Sequence, residues 1–166
     1  MATFRERYAS EHSPEDLWRA INKPLLDPDL VSLIHEGVDV QYDGLGHEGQ
    51  IELGSSITYI PTDELRENVP SMYGRLIPQD VEFFVHGMTD RGFGMRRDTL
   101  MSSKADGGIT RTVETDGSAS LLVVEANLTL NGLGNMFDSQ IEKALEAILG
   151  SSSEAIIALV PEILEN

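Results

Sequence analysis

The 166-residue sequence lacks cysteine and has few basic and few aromatic residues. Without cysteine, the chain forms no disulfide bond, no thiolate metal site and no cysteine nucleophile. No stretch approaches the roughly 18 consecutive apolar residues that a membrane-spanning helix needs, so we expect no membrane insertion. The opening MATFRERYASEH has neither the apolar segment nor the cleavage site of a secretory signal. These absences predict a cytoplasmic protein.

Basic residues are outnumbered, with 12 Lys and Arg against 28 Asp and Glu, which gives a net charge of -16. Such a field repels phosphate backbones and anionic lipids, so we expect no nucleic-acid partner. Two explanations of the acidity stay open. The charge can serve solubility alone, or it can form a surface for a basic protein partner.

The length and the 40% hydrophobic content predict one folded domain, residues 1–166, large enough to bury a core or enclose a cavity. Near the N-terminus, ATFRERYAS alternates like a strand and places Phe4 and Tyr8 on one face. Ser13 followed by Pro14 predicts a helix start. Asp27 and Pro28 predict a second short helix, which Gly37 would end.

From residue 38 the apolar period changes to two, which is typical of strands. VDVQYDGLG and QIELGSSITYI predict a hairpin, and PTDELRENVPSMYGRLIP predicts a loop with one helical turn. Four more strands are predicted in DVEFFVHGMTD, GFGMRRDTLMSS, GITRTVETD and SASLLVVEANLTL. Glycine-rich turns between them favour an antiparallel meander.

Apolar residues at three- and four-residue steps from Phe137 to Ile163 predict a long amphipathic C-terminal helix, which Pro161 would bend near its end. Before it stands Gly132-Leu133-Gly134. A dinucleotide-binding loop needs a third glycine and a parallel strand to follow, and neither is present. We therefore interpret these glycines as an elbow between the last strand and the helix.

Three segments carry a resemblance to a known superfamily: RYASEHSPEDLWRAI, RENVPSMYGRLIP and LTLNGLGNMFDSQIEKALEAIL. The chain resembles START-like proteins, which include the major pollen allergens, and within them a bacterial family of unknown function. The resemblance implies an α+β helix-grip fold, in which about seven curved antiparallel strands wrap a long C-terminal helix and two short helices follow strand 1. It also implies a hydrophobic cavity. Relatives include carriers, cyclases, hydrolases and co-chaperones, so the fold does not choose the function.

Polar residues on predicted inner strand faces are the first candidates for a site. Glu6 shares the face of Phe4 and Tyr8, so inside a cavity it would need a partner or a raised pKa. Arg96 is a possible partner, because it and Arg97 point to opposite faces and one of them should point inward. Alternatively, a twisted strand end exposes Glu6 to water.

His86 lies between Phe84 and Met88 on one predicted strand face, where it could act as a pocket base or be an ordinary histidine. The four histidines show no metal-ligand spacing, so we expect no metal site and no cofactor.

We predict a non-catalytic protein that binds a small hydrophobic or amphipathic ligand between sheet and terminal helix. One alternative is a cyclase or hydrolase in the same cavity that uses His86, Glu6 or an inward arginine. Another is an interaction module with an acidic surface. The large apolar residues could also simply fill the core. The candidate ligand-binding residues are Tyr8, Glu6, Phe84, His86, Met88, Arg96, Phe137 and Ile141.

Overall fold

The structure, a computed structural model, describes residues 1–35, 40–43, 54–60, 63, 67, 80–89, 93–100, 102–132 and 135–165. Seven strands form one antiparallel sheet: β1 (Ala2–Ser10), β2 (Val40–Asp43), β3 (Ser56–Tyr59), β4 (Val81–Met88), β5 (Met95–Leu100), β6 (Ala105–Asp116) and β7 (Ala119–Leu130). Their order across the sheet is β1-β7-β6-β5-β4-β3-β2. The predicted α+β class and seven-stranded meander are confirmed.

Two short helices follow β1, and a longer helical segment follows β7. The helices are α1 (Pro14–Asn22), α2 (Val31–Ile34), α3 (Asp138–Leu145), α4 (Ser151–Ala158) and α5 (Val160–Glu165). Short 3-10 turns occupy Lys23–Leu25 and Pro28–Leu30, and a π-helical turn occupies Glu146–Gly150. We call the continuous segment 138–158, which consists of α3, the π turn and α4, the terminal helix.

Helix α1 begins where the sequence predicts. The Ser13 hydroxyl accepts a hydrogen bond from the Asp16 backbone N–H at 3.2 Å, and Pro14 occupies the first helical position. Its buried face carries Leu17, Trp18 and Ile21, which pack into the core. The predicted second helix appears as a 3-10 turn that runs into α2, and its predicted end at Gly37 lies outside the described residues.

The inner face of the sheet follows the predicted alternation on β7, where Leu122, Val124, Ala126 and Leu130 are buried and Leu128 is half-buried. Helix α1 contacts β6 and β7, and the turn after it contacts the edge strand β2. The short helices therefore connect the middle of the sheet with its far edge.

Strand β4 departs from the expected orientation. Its buried residues are Val81, Phe83 and Val85, so Phe84 lies on the opposite face. A β-bulge then interrupts the pairing with β5, because Val85 pairs with Asp98 but Gly87 pairs with Arg97. His86 is the extra residue of this bulge and its side chain is exposed. Phe84 and His86 therefore do not share the interior face expected of cavity residues, because the buried residues of β4 alternate in the other phase. For His86, the exposed side chain matches the alternative of an ordinary histidine.

The bulge also changes the orientation beyond it. Met88 pairs with the buried Arg96, and it is half-buried against the core. Met88 therefore faces inward on the opposite parity from Phe83 and Val85, and it is not part of the described cavity wall.

The terminal helix is bound to the first strand at its start. The Met1 amino group contacts the Asp138 carboxylate at 2.7 Å, and the Thr3 N–H donates to Glu142 at 3.2 Å. Farther along, the Ser153 hydroxyl donates to the Leu149 carbonyl at 2.6 Å, next to the π turn. Side-chain bonds of this kind to a helical carbonyl often bend helices.

The terminal helix ends at Ala158, Leu159 has a non-helical backbone conformation, and α5 begins at Val160 with Pro161 in its first turn. Proline has no N–H to donate to the preceding turn, which explains the break. In the described part of the chain, no helix has the length and apolar character required to cross a membrane.

The segment between β7 and the terminal helix supports the elbow interpretation of Gly132. This glycine has a φ of 88°, a left-handed conformation that glycine adopts without strain. The neighbouring strands are antiparallel, so the βαβ context of a dinucleotide-binding loop is missing from the described sheet. Leu133 and Gly134 lie outside the described residues.

We predict that Ser13→Ala lowers the free energy of unfolding by about 1 kcal/mol, because α1 loses its N-terminal cap. Ser13→Asp should restore stability, because a carboxylate caps equally well and also suits the helix dipole. Urea unfolding followed by the fluorescence of Trp18, the single tryptophan, measures both variants. Equal destabilisation by alanine and aspartate would contradict the cap.

Candidate ligand-binding site

An apolar cavity of about 70 Å³ lies between the inner face of the sheet and the terminal helix. From the sheet, its wall includes Tyr59, Val81, Phe83, Ile109 and Leu128. From the helix, it includes Ile141, Ala144, Leu145, Ile148 and Leu149. The last two belong to the π turn, so the irregular part of the helix forms part of the wall. The cavity suits apolar groups.

Tyr59 is the one residue of the described wall with a polar side chain. Its ring packs edge-on against Phe83, with ring centroids 5.8 Å apart, and against His35, with centroids 6.1 Å apart. Its hydroxyl is buried. Tyr59 therefore stands between the apolar cavity and a group of buried polar residues.

That group, which we call the polar cluster, consists of His35, Tyr42, Tyr59, Arg96, Asp98 and Arg111. At its centre, Asp98 Oδ2 accepts hydrogen bonds from Arg96 Nη2 at 3.0 Å and from Arg111 Nη1 at 2.9 Å. Arg96 and Arg111 are direct partners on β5 and β6. Asp98 is 0% exposed and the two arginines are 1% and 5% exposed. One carboxylate oxygen thus joins two buried guanidinium groups.

The polar cluster also contacts the end of α1. Arg96 Nη1 donates to the Asn22 side-chain oxygen at 3.1 Å and to the Ile21 carbonyl at 3.4 Å. Asn22 in turn donates to the Trp18 carbonyl at 3.0 Å. The C-terminal end of a helix carries a partial negative charge, which stabilises the guanidinium group at this position. Arg96 therefore ties α1 to β5.

His35 and the two tyrosines form the other side of the polar cluster. His35 Nε2 and the Tyr42 hydroxyl are 2.8 Å apart, and the tautomer decides which of them donates. Burial and the nearby charge of Arg111 lower the pKa of His35 to about 4. Burial raises the pKa of Tyr42, a half-buried residue of β2. Both side chains are therefore neutral at pH 7.

Arg111 stays charged despite its burial. Burial acts to lower its pKa, but Tyr59, Asp98 and Tyr42 together raise it. The Tyr59 hydroxyl is close enough to act on Arg111, yet its geometry does not complete a hydrogen bond. Four buried atoms of the polar cluster have no hydrogen-bond partner among the described residues: His35 Nδ1, Tyr59 Oη, Arg96 Nε and Asp98 Oδ1.

A groove of about 620 Å³ lies on the other side of the terminal helix, next to β1. Glu6 and Tyr8 line it from the strand, and Glu146 and Glu154 line it from the helix together with Lys143. Burial, followed by the charges of Glu6, Glu154 and Glu146, raises the pKa of Tyr8. The helix thus separates an acidic surface groove from the apolar cavity.

Comparison with known proteins identifies the architecture. No protein-family model matches the sequence, and no curated protein sequence matches it. The structure of norcoclaurine synthase from Thalictrum flavum in complex with dopamine and hydroxybenzaldehyde is similar, with a TM-score of 0.61 and 15% identity over 96% of this chain and 86% of that chain. Ara h 8.0201 gives a TM-score of 0.58 and 15% identity over 99% and 98% of the two chains.

A third similar structure, XoxI from Bacillus cereus, gives a TM-score of 0.59 and 14% identity over 100% of this chain and 99% of that chain. The protein has the START-like helix-grip fold. At these identities the similarity concerns the fold alone, and the expected helix-grip architecture is confirmed.

The predicted site residues do not lie together in the structure. Only Ile141 lines the apolar cavity, while Phe137 is buried in the core. Tyr8 and Glu6 line the groove, and Glu6 is exposed as in the alternative, although it lies in the middle of β1 and not at a strand end.

Of the two neighbouring arginines, Arg96 is the inward one and Arg97 is exposed. The carboxylate partner of Arg96 is Asp98 and not Glu6, because β6 and β7 separate β5 from β1. The possible pairing of Arg96 with Glu6 is therefore not formed.

Asp98, Arg111 and Tyr59 were missed by the sequence reasoning. A signal exists for Arg111, because it has the same parity as Ile109 and Val113 on β6, where an apolar residue is expected. Asp98 likewise shares the parity of Leu100 on β5. A charged residue in phase with buried apolar residues indicates a buried ion pair. Among the described residues, no group of three or more His, Asp or Glu could hold a metal ion.

We predict that His35 makes the protein less stable in acid. The unfolded chain binds a proton near pH 6.5 and the folded chain near pH 4, so the free energy of unfolding falls as the pH drops between these values. From pH 7 to 4.5 the wild type should lose about 2 kcal/mol more than His35→Gln, which cannot titrate. Urea unfolding at both pH values measures this difference. Equal losses in the two proteins would show that His35 is not buried in its neutral form.

We predict that Asp98→Asn lowers the free energy of unfolding by about 3 kcal/mol or more, because it leaves two buried arginines without a carboxylate. Asp106→Asn makes the same charge change at an exposed position of β6 and is the matched control. Thermal and urea unfolding measure both variants. Similar small effects in the two variants would contradict the central role of Asp98.

Proposed function

We propose that the protein binds a small, largely apolar ligand between the inner face of the sheet and the terminal helix, without catalysing a reaction. The cavity wall is the observation that supports this function. Its described residues are apolar except for Tyr59, and they come from both the sheet and the helix. A pocket of this chemistry takes up apolar groups and excludes water.

The volume of the cavity sets a condition on binding. At about 70 Å³ it is smaller than the roughly 150 Å³ that holds a benzene molecule in an engineered protein cavity. A ligand of six or more heavy atoms therefore needs part of the wall to move outward. The π turn is suited to this movement, because such turns interrupt regular helical bonding and often occur at functional sites. It carries Ile148 and Leu149 of the wall.

A structure of the same fold supports small-molecule binding. Norcoclaurine synthase from Thalictrum flavum is described in complex with dopamine and hydroxybenzaldehyde. Folds host several functions, so this similarity makes a ligand plausible for the present chain without selecting its chemistry.

The enzyme alternative has less support. Glu6 lines the groove on β1, and His86 is exposed at the bulge of β4, with three strands between them in the sheet. These two side chains do not share a pocket in which one could donate and the other accept a proton. The inward arginine of this alternative is Arg96, which is bonded to Asp98, Asn22 and the Ile21 carbonyl and does not line the cavity. The acidic interaction surface stays a prediction.

Binding can be tested with short neutral alcohols. Titration of the methyl-labelled protein with 1-butanol, 1-pentanol and 1-hexanol should cause saturable NMR shifts of the Ile109 and Ile141 methyl groups. Burial of one methylene contributes about 0.8 kcal/mol, so each added carbon should tighten binding about fourfold. Wild-type methyl groups that do not shift would overturn the proposal.

Two alanines of the terminal helix provide matched variants. Ala144 lines the cavity, whereas Ala147 is exposed and lines the groove. Ala144→Phe should fill the cavity and reduce binding of 1-hexanol at least tenfold, while Ala147→Phe should leave it unchanged. The reverse result would place the ligand in the groove and refute binding inside the grip.

A further inference from the structure

The polar cluster contains more positive than negative charge. Arg96 and Arg111 carry two positive charges, and Asp98 supplies one negative charge. Among the described residues, no second carboxylate forms an ion pair with either arginine. His35 and Tyr42 do not restore the balance, because their shifted pKa values keep both neutral at pH 7. Buried charge without compensation is unfavourable.

The excess falls mainly on Arg111. Arg96 has additional partners at the end of α1, where Asn22 and the Ile21 carbonyl accept from it. Within the described part of the chain, Arg111 donates one hydrogen bond, to Asp98, although a guanidinium group carries five N–H donors. The side chain of Arg111 keeps 6% of its surface exposed. Of the two arginines, Arg111 therefore has fewer acceptors among the described residues.

The polar cluster is adjacent to the apolar cavity. Ile109 lines the cavity, and Arg111 follows it by two residues on the same face of β6, about 7 Å along the strand. Tyr59 belongs to both places, because its ring lines the cavity and its hydroxyl acts on Arg111. Arg111 does not line the cavity itself, so a ligand would have to extend past Tyr59 to reach the guanidinium group.

We infer that the ligand is an amphipathic acid, whose apolar part occupies the cavity and whose carboxylate is received by Arg111 and the hydroxyl of Tyr59. This inference rests on the proposed function and adds the chemical class of the ligand. A carboxylate accepts two N–H bonds from a guanidinium group in a fork geometry and also accepts from a hydroxyl. It would supply the missing negative charge, which a water molecule cannot do.

The surface charge does not explain such a preference. A chain with a net charge of -16 repels anions at long range, so an acid gains nothing on approach. Any preference for a carboxylate over a neutral group of equal size must therefore arise inside the protein.

The experiment compares hexanoate, 1-hexanol and acetate at pH 7 and constant ionic strength, with the NMR shifts of the Ile109 and Ile141 methyl groups as readout. We expect hexanoate to bind at least tenfold more tightly than 1-hexanol, and acetate to bind at least tenfold more weakly than hexanoate. Equal or weaker binding of hexanoate relative to 1-hexanol would overturn the inference and leave the proposed function intact. Acetate binding as tight as that of hexanoate would reveal a simple anion site and would also overturn it.

Variants locate the carboxylate. Arg111→Met should abolish the preference for hexanoate over 1-hexanol, whereas Arg97→Met, which removes an exposed arginine from the neighbouring strand, should preserve it. Arg111→Met leaves Arg96 and Asp98 as a balanced pair, so it should remain folded. Tyr59→Phe keeps the ring and removes the hydroxyl, so it should reduce the preference severalfold even if Arg111→Met does not fold. An unchanged preference in Tyr59→Phe and in any folded Arg111→Met would refute the assignment.

The two proposals fail in different ways. If neither hexanoate nor 1-hexanol shifts the cavity methyl groups, the proposed function fails and the inference fails with it. If 1-hexanol binds and Ala144→Phe blocks it, but hexanoate shows no advantage, only the inference fails.

Discussion

The carboxylate of Asp98 is the interaction on which the interior of this protein depends. It lies between Arg96 and Arg111 and is completely buried, so both positive charges rely on one oxygen atom. Arg96 also donates hydrogen bonds to the last residues of α1 and so links the middle of the sheet to the short helices. Buried charges of this kind are stable only when paired and hydrogen-bonded. The position of α1 and the charge of the interior are therefore coupled.

The terminal helix organises the remaining inner face. On one side it closes the apolar cavity with Ile141 and Leu145, and on the other side it borders the acidic groove with Glu146 and Glu154. The irregular π turn lies in the middle of this helix and contributes to both sides. The two sides of this helix therefore differ in chemistry, apolar toward the cavity and acidic toward the groove.

Much of the fold could be predicted because its signals are local. The hydroxyl of Ser13 lies three residues before the N–H that it caps, so the start of α1 is visible in a short peptide. The alternation along β7 and the three- and four-residue spacing of the terminal helix are equally local.

The candidate site was harder to predict. The bulge at His86 reverses the orientation of β4, and its local signal is the neighbouring Gly87 inside the strand, which does not tell which face the later residues take.

By itself, the sequence determined the types and order of the helices and strands, because backbone preference and apolar periodicity act over a few residues. Only the tertiary structure decided which side chains meet. Asp98 bonds to Arg111 because the register of β5 on β6 places Arg96 opposite Arg111. Tyr59 reaches Arg111 from β3, which β4 separates from β5. Strand register is set by the packing of the whole sheet. The pairing of buried charges therefore cannot be inferred from any single segment of the sequence.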